Sequence, residues 1–190
     1  MDGPPPAGPT LPELLSRYRG LGHGDGALVD DFLALHGSPG ADPYRRERLD
    51  AHFTASAWLV DHAGSRALLT HHRKLGLWLQ PGGHADGDRD LARVALREAS
   101  EESGLAALAV VPEVYDIDRH WIPAHREVPA HWHYDVRFVV RSGDCEAFVV
   151  GDESHALAWR GVADIAADPE ADVSLRRMAR RWLGATRSRA

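Results

Sequence analysis

A glycine-rich stretch from Pro81 to Gly87 runs directly into a segment, Leu91 to Ser103, whose apolar residues recur at helical spacing. This pairing constrains the fold more than any other feature, because a tight loop feeding a one-sided helix needs a layer for that side to rest on. At about 100° per residue, Leu91, Ala92, Ala95, Leu96 and Ala99 share one arc, which predicts the core-facing side. Arg93, Arg97 and Ser100 fall opposite. Glu98, Glu101 and Glu102, spaced i, i+3 and i+4, share a third arc at the edge of the buried stripe, with Glu102 nearly aligned with Leu91.

Carboxylates crowded at such an edge repel one another and lose hydration, so either their protons are held more tightly or cations neutralise them. Hard oxygen donors select Mg2+ or Mn2+ over softer ions. The same residues also read as a solvated glutamate face, since Glu is a good helix former. Arg97 is placed to pair with Glu101 at i+4, and Gly104 stands where a helix ends on a left-handed residue; both have purely structural explanations.

Residues 1–9, mostly Pro, Gly and Ala, read as a disordered tail, 10–50 as a helical lead-in and 51–190 as the main domain. In the lead-in, Thr10 and Glu13 form a capping-box pattern for a helix ending near Gly20, and an apolar stripe predicts a second from Asp25 to His36. Strands are expected at Phe53 to Val60, Ala67 to Thr70, Leu75 to Gln80, Ala107 to Val111, Trp132 to Val140 and Ala156 to Trp159. Leu175, Met178 and Trp182 mark a closing helix from Ser174 to Leu183.

A formal charge of -6 excludes a binder drawn to nucleic acid by its own charge, and no stable nucleic-acid complex is expected. Small anionic substrates stay open if metal ions supply the positive charge. The single cysteine, Cys145, can form no intrachain disulfide and no secretory leader is visible, which points to a reducing cytoplasm. The longest apolar stretch, Leu105 to Pro112, falls far short of the roughly 20 residues that cross a bilayer, so no membrane span is expected.

From Gly83 the chain reads GHADGDRDLARVALREASEESGL, which strongly resembles the Nudix box: Gly, five residues, Glu, seven residues, then Arg-Glu-apolar-x-Glu-Glu-x-Gly-apolar. Gly83, Arg97, Glu98, Ala99, Glu101, Glu102, Gly104 and Leu105 match, and Pro81 and Gly82 fit the usual lead-in. HFTASAW, LWLQPGGH and HWHYDVRF look like a bacterial Nudix subgroup. The resemblance implies an α/β fold, a Nudix-type α/β/α sandwich on a mixed β-sheet with the short N-terminal helical lead-in before it. It further implies Mg2+-dependent hydrolysis, with Mn2+ a possible substitute, of the diphosphate bond in a nucleoside diphosphate linked to another moiety or in a nucleoside triphosphate.

Carried over by position, Glu98, Glu101 and Glu102 would be the metal ligands, the backbone carbonyl of Gly82 would complete the set, and Arg97 would orient the carboxylates. The ions would neutralise the bridging phosphates and help place a water in line with the bond to be broken. Glu98 is the first choice of general base and Glu153 the second. The partner would be a small nucleotide or other diphosphate, and a homodimer is a family-level expectation. One position departs: Arg89 stands where the first box glutamate belongs, flanked by Asp88 and Asp90, and an adjacent Asp could partly replace that glutamate after a small loop shift. Arg89 also motivates another reading, a nucleotide sensor that has lost turnover. Diphosphate isomerisation would need a catalytic cysteine, and Cys145 lies in no recognisable motif.

Alternation from His131 to Phe138 puts Trp132, Tyr134, Val136 and Phe138 on a core face and His131, His133, Asp135 and Arg137 on the other. That polar face is either solvated or lines the substrate cleft, where His133 and Arg137 would contact phosphate or base. His131 and His133 could hold zinc with a third ligand, although paired strand histidines more often hydrogen-bond locally. His84 could approach the substrate. His71 and His72 are expected in an exposed hairpin turn, and Trp78 and Trp159 in the core.

Overall fold

The computed structural model describes residues 8–22, 26–72, 76–144, 146–149 and 154–187. It opens with helix α1 (Leu11–Gly20), started by Thr10, whose backbone N–H and hydroxyl donate to the Glu13 carboxylate at 2.7 and 2.9 Å. Helix α2 (Gly26–His36) follows; the expected starting residue, Asp25, lies outside the described residues. Then come strands β1 (Ala51–Val60), β2 (Arg66–His72), β3 (Trp78–Leu79) and β4 (Gly82–His84), helix α3 (Leu91–Ser103) and strands β5 (Ala109–Ile122), β6 (His131–Arg141) and β7 (Ser154–Gly161). Helices α4 (Val162–Ala167) and α5 (Val173–Arg187) close the chain.

Several elements differ from the sequence pattern for identifiable reasons. The glycine-rich loop contains β4, held by antiparallel pairing of Gly82, Gly83 and His84 with Ser56, Ala55 and Thr54 of β1. Strand β5 runs on to Ile122, well past Val111; Pro112 and register shifts around Val114 interrupt its apolar alternation. His71 and His72 end β2 and are not in a turn, because β2 pairs there with β3, and the His71 ring lies 5.2 Å from that of Trp78. Trp78 and Trp159 are partly buried against apolar clusters. Helix α4 is too short for its apolar residues to show a period.

The sheet runs β3-β2-β1-β6-β5, with β4 beside the middle of β1 and β7 beside β2. It is mixed, since β1 and β6 pair in parallel and the other pairs are antiparallel. On one face Phe53, Ala55, Val136 and Phe138 pack with Leu91, Ala92, Val94 and Ala95 of α3 and with Leu14, Leu15, Val29 and Phe32 of the lead-in, so the lead-in shares the main core. On the other face Trp58, Val60 and Val139 pack under α4 and α5 through Ile165, Leu175, Met178 and Trp182. Among the described residues no helix is long and apolar enough to cross a membrane.

Two loop carboxylates tie this frame together and give it an acid limit. At the turn after β1, burial would raise the Asp61 pKa, but hydrogen bonds from Arg66 and Ser65 outweigh it and hold it below the ordinary 3.8. Asp172, before α5, is likewise lowered as hydrogen bonds from Ser174 and Leu175 outweigh burial. A carboxyl group lowered on folding contributes stability above its unfolded value and loses it as pH falls through the folded one. Thermal unfolding followed against pH should therefore show these contributions intact at neutral pH and lost below about pH 4, with Asp61→Asn weakening that acid dependence.

Candidate active site

Helix α3 starts at Asp90, whose carboxylate accepts from the Arg93 N–H at 3.1 Å, and ends at Gly104 with φ 66°. Its buried residues Leu91, Ala92, Ala95 and Ala99 match the expected arc, joined by Val94 and Ser103. The carboxylate edge lies against β4. The Gly82 N–H donates to Glu102 Oε1 at 2.8 Å, and a Cβ at Gly83 would stand 2.5 Å from the Glu98 carboxyl carbon. Gly82 is equally confined, since a Cβ there would meet Ser56 Cα at 2.8 Å. Gly82 is thus required by close approach of backbone, whereas a side chain at Gly83 would displace the Glu98 carboxylate.

The structure brings Glu98 and Glu102 onto the β4 backbone and leaves Glu101 exposed one turn away. Arg97 donates to Glu98 Oε1 at 2.8 Å and to the carbonyl of His84 at 3.1 Å, so it fixes the Glu98 carboxylate to the loop. Arg89 turns the other way: it reaches Asp42 at 3.3 Å and covers the Tyr44 ring at 4.6 Å. Neither flanking aspartate bonds to Arg97. Asp88 accepts from Arg93 Nε at 2.9 Å and Asp90 caps the helix, so the loop is held instead by the lead-in through Arg89, the Gly87 N–H to Tyr44 carbonyl bond at 2.7 Å, and Arg46 on Asp86.

The polar face of β6 is mostly buried, at His131, Asp135 and Arg137, and half-buried at His133. Parallel pairing sets His52, Thr54 and Ser56 of β1 beside His133, Asp135 and Arg137, and β5 adds His120, Asp118 and Asp116 on the far side. Arg137, 3% exposed, bonds Asp135 at 2.7 Å, Asp118 at 3.1 Å and Asp116 at 3.3 Å. Thr54 and Ser56 hydroxyls donate to Asp135 at 2.9 and 2.8 Å. Burial would raise the Asp135 pKa, but Arg137 foremost, then His120 and Ser56, keep it low. From α5, Arg177 reaches Asp116 at 2.6 Å.

At the far end of this ladder the rings of His52, His84, His120 and His131 surround His133 with centroids 4.8 to 5.4 Å away. Burial first, then neighbouring cations, lowers His84 to about 4, and burial with its histidine neighbours lowers His133 to about 2; both are neutral at pH 7. The roles of His52, Ser56, Asp116, Asp118 and His120 were not drawn from the sequence. The signal was present as alternation of His52, Thr54 and Ser56 and of Asp116, Asp118 and His120. Glu153 and Cys145 lie outside the described residues.

The NUDIX domain sequence model matches residues 50–182. A protein of Mycobacterium tuberculosis named "Putative 8-oxo-dGTP diphosphatase 3" is 32% identical over 170 residues, covering 83% of this chain and 70% of its own length. Among solved structures, a Caenorhabditis elegans Ap4A hydrolase binary complex is similar with TM-score 0.54 and 16% identity, over 73% of this chain and 98% of that one. A MutT protein from Methanosarcina mazei Go1 is similar with TM-score 0.55 and 16% identity, over 70% of this chain and 94% of that one. These two show the fold, and the match over most of the chain together with the mycobacterial relative places the protein: it belongs to the Nudix family, as a hydrolase acting on acid anhydrides.

Proposed function

We propose that this hydrolase cleaves the diphosphate linkage of a small nucleotide, either a nucleoside diphosphate linked to another moiety or a nucleoside triphosphate, with Mg2+ bound at the α3–β4 junction. The observation that carries this reading is the convergence of Glu98 and Glu102 on the Gly82–Gly83 backbone, where a side chain on either glycine would collide. Hard carboxylate oxygens beside a glycine backbone fit Mg2+, or Mn2+ in its place. Glu98, Glu101, Glu102 and the Gly82 carbonyl would hold the ion, which supplies charge neutralisation at the bridging phosphates and acidifies water. The name of the mycobacterial relative favours the triphosphate arm.

The chain's own groups have distinct tasks in this reading. Arg97 holds the Glu98 carboxylate beside Gly83, ready to accept a proton from the water that attacks phosphorus. Attack in line breaks the P–O bond, releasing a nucleoside monophosphate and a second phosphorylated fragment. Glu102 secures β4 through the Gly82 N–H. His84, whose carbonyl anchors Arg97, turns its neutral ring towards His52 and His133. His133 acts within the histidine cluster. Arg137 is engaged by Asp116, Asp118 and Asp135, so a direct contact with phosphate or base would require it to give up one of these pairs.

Incubation with Mg2+ and a panel of nucleoside diphosphate sugars, dinucleoside polyphosphates and triphosphates, including 8-oxo-dGTP, tests this by product release. Turnover of at least one substrate, abolished by chelation, is expected; tight nucleotide binding with no turnover throughout would overturn it for the sensor reading. Gly83→Ala provides a geometric check. The added methyl group must displace the Glu98 carboxylate, and a misplacement on the order of 1 Å costs about a hundredfold in rate. Steady-state kinetics should show that loss in a chain that still unfolds cooperatively.

A further inference from the structure

We propose that His52, His131 and His133 form a second metal site, built of nitrogen ligands and separate from the carboxylate site, that takes a borderline divalent ion of the zinc class. Among the described residues these three can bring one ligand atom each within 4.8 Å of one another. His52 is 2% and His131 6% exposed, and His133 is half-buried.

Hydrogen bonding fixes which nitrogens are available. His52 Nδ1 lies 2.9 Å from the Arg48 carbonyl and His131 Nδ1 lies 2.8 Å from the Pro129 carbonyl. A carbonyl can only accept, so each ring carries a proton on Nδ1, and in its neutral form each presents a bare Nε2 lone pair. A backbone carbonyl on the remote ring nitrogen is also the arrangement that orients metal-bound histidines. Among the described residues His52 Nε2 is buried without a hydrogen-bond partner, an atom that folding desolvates without a described donor in return.

His131 Nε2 and His133 Nε2 lie 3.1 Å apart in a hydrogen bond. Two nitrogens each about 2.1 Å from a tetrahedral ion stand about 3.4 Å apart, so an ion would replace that bond with little opening of the pair. His52, whose ligand atom lies within 4.8 Å of both, would have to close on it. The His84 ring, 5.1 Å from that of His52 and 5.0 Å from that of His133, is next in reach for the fourth position. Imidazole nitrogen favours zinc-class ions, whereas carboxylate oxygen favours Mg2+, so the two sites differ in preference. Because β1, β6 and β4 each supply a ring, occupancy would clasp the parallel strand pair to the strand that carries Gly83.

The full chain, stripped with a chelator and dialysed against zinc chloride in excess Mg2+, should retain about one zinc per chain by atomic emission. His52→Gln and His131→Gln should each weaken zinc at least about a hundredfold, at or beyond the upper end of what disturbing an outer partner does. Glu102→Gln should leave zinc retention unchanged. Zinc retained equally by both histidine variants, none retained by the folded parent, or loss in Glu102→Gln would each overturn the proposal. Cobalt loaded into the parent chain tests it without any variant: intense visible bands of a tetrahedral ion support it, and the weak spectrum of an octahedral ion refutes it.

Discussion

Glu98→Gln is expected to lower kcat by about 10³, within the 10²–10⁴ range of a positioned proton acceptor. The substitution keeps the shape of the side chain against Gly83 and removes its charge and basicity together. Glu102→Gln separates these effects. A glutamine Oε1 can still accept from the Gly82 N–H, now at 2.8 Å, so the strand should stay in place while one ligand charge is lost. Most Mg2+-dependent turnover should go and the Mg2+ needed for half-maximal rate should rise, with the circular dichroism spectrum unchanged. Full activity in Glu102→Gln would remove that residue from the ligand set. Exposed Glu101 should give the smallest loss of the three when changed to Gln.

The second large effect concerns stability. Arg137→Met should cost about 3–5 kcal/mol, the usual penalty when one partner of a buried charge pair is removed. Asp135 and Asp116, 1% and 0% exposed, would keep their charges with less compensation: Asp135 would lose its one guanidinium partner among the described residues, and Asp116 would retain Arg177 and Arg181. For a chain of 190 residues that is a fall in unfolding temperature on the order of 10 °C. Denaturant titration of Arg137→Met, Asp135→Asn and the double variant forms a cycle. The double variant should be more stable than the sum of the single losses implies, because it removes both members of the shortest of the Arg137 ion pairs. Additive losses would mean that Asp135 and Arg137 do not interact energetically.

Much of the candidate site was legible along the chain because its parts are local. The arc of Leu91, Ala92, Ala95 and Ala99 is a property of helical period, and Glu98 and Glu102 share a face for the same reason. Asp90 as helix start and Gly104 as helix end follow from hydrogen-bonding capacity and backbone freedom within a few residues. Two local patterns failed. Strand β5 hid behind Pro112 and its bulges, and β4 looked like loop because a run of glycines offers no side chains to alternate.

Arg89 shows how a departure from a motif can be settled away from the motif. Its charge is taken up by Asp42 and Tyr44 in the lead-in, about 45 residues upstream, through contacts that no spacing rule connects. Arg97 is steadied by the His84 carbonyl rather than by the i+4 pairing with Glu101 that helical geometry suggests.

The sequence by itself determined the carboxylate helix, its caps and the glycine-rich approach to it, since period, capping and turn chemistry act over one or two turns of chain. Only the tertiary structure decided what the polar face of β6 is. Alternation says that His131, His133, Asp135 and Arg137 share a face, but whether that face meets water depends on which strands lie beside it. Here β1 and β5 flank it with hydroxyls, aspartates and further histidines. Burial then makes their pairing obligatory, because charge and ring nitrogen removed from water must find partners in the protein or in a bound ion.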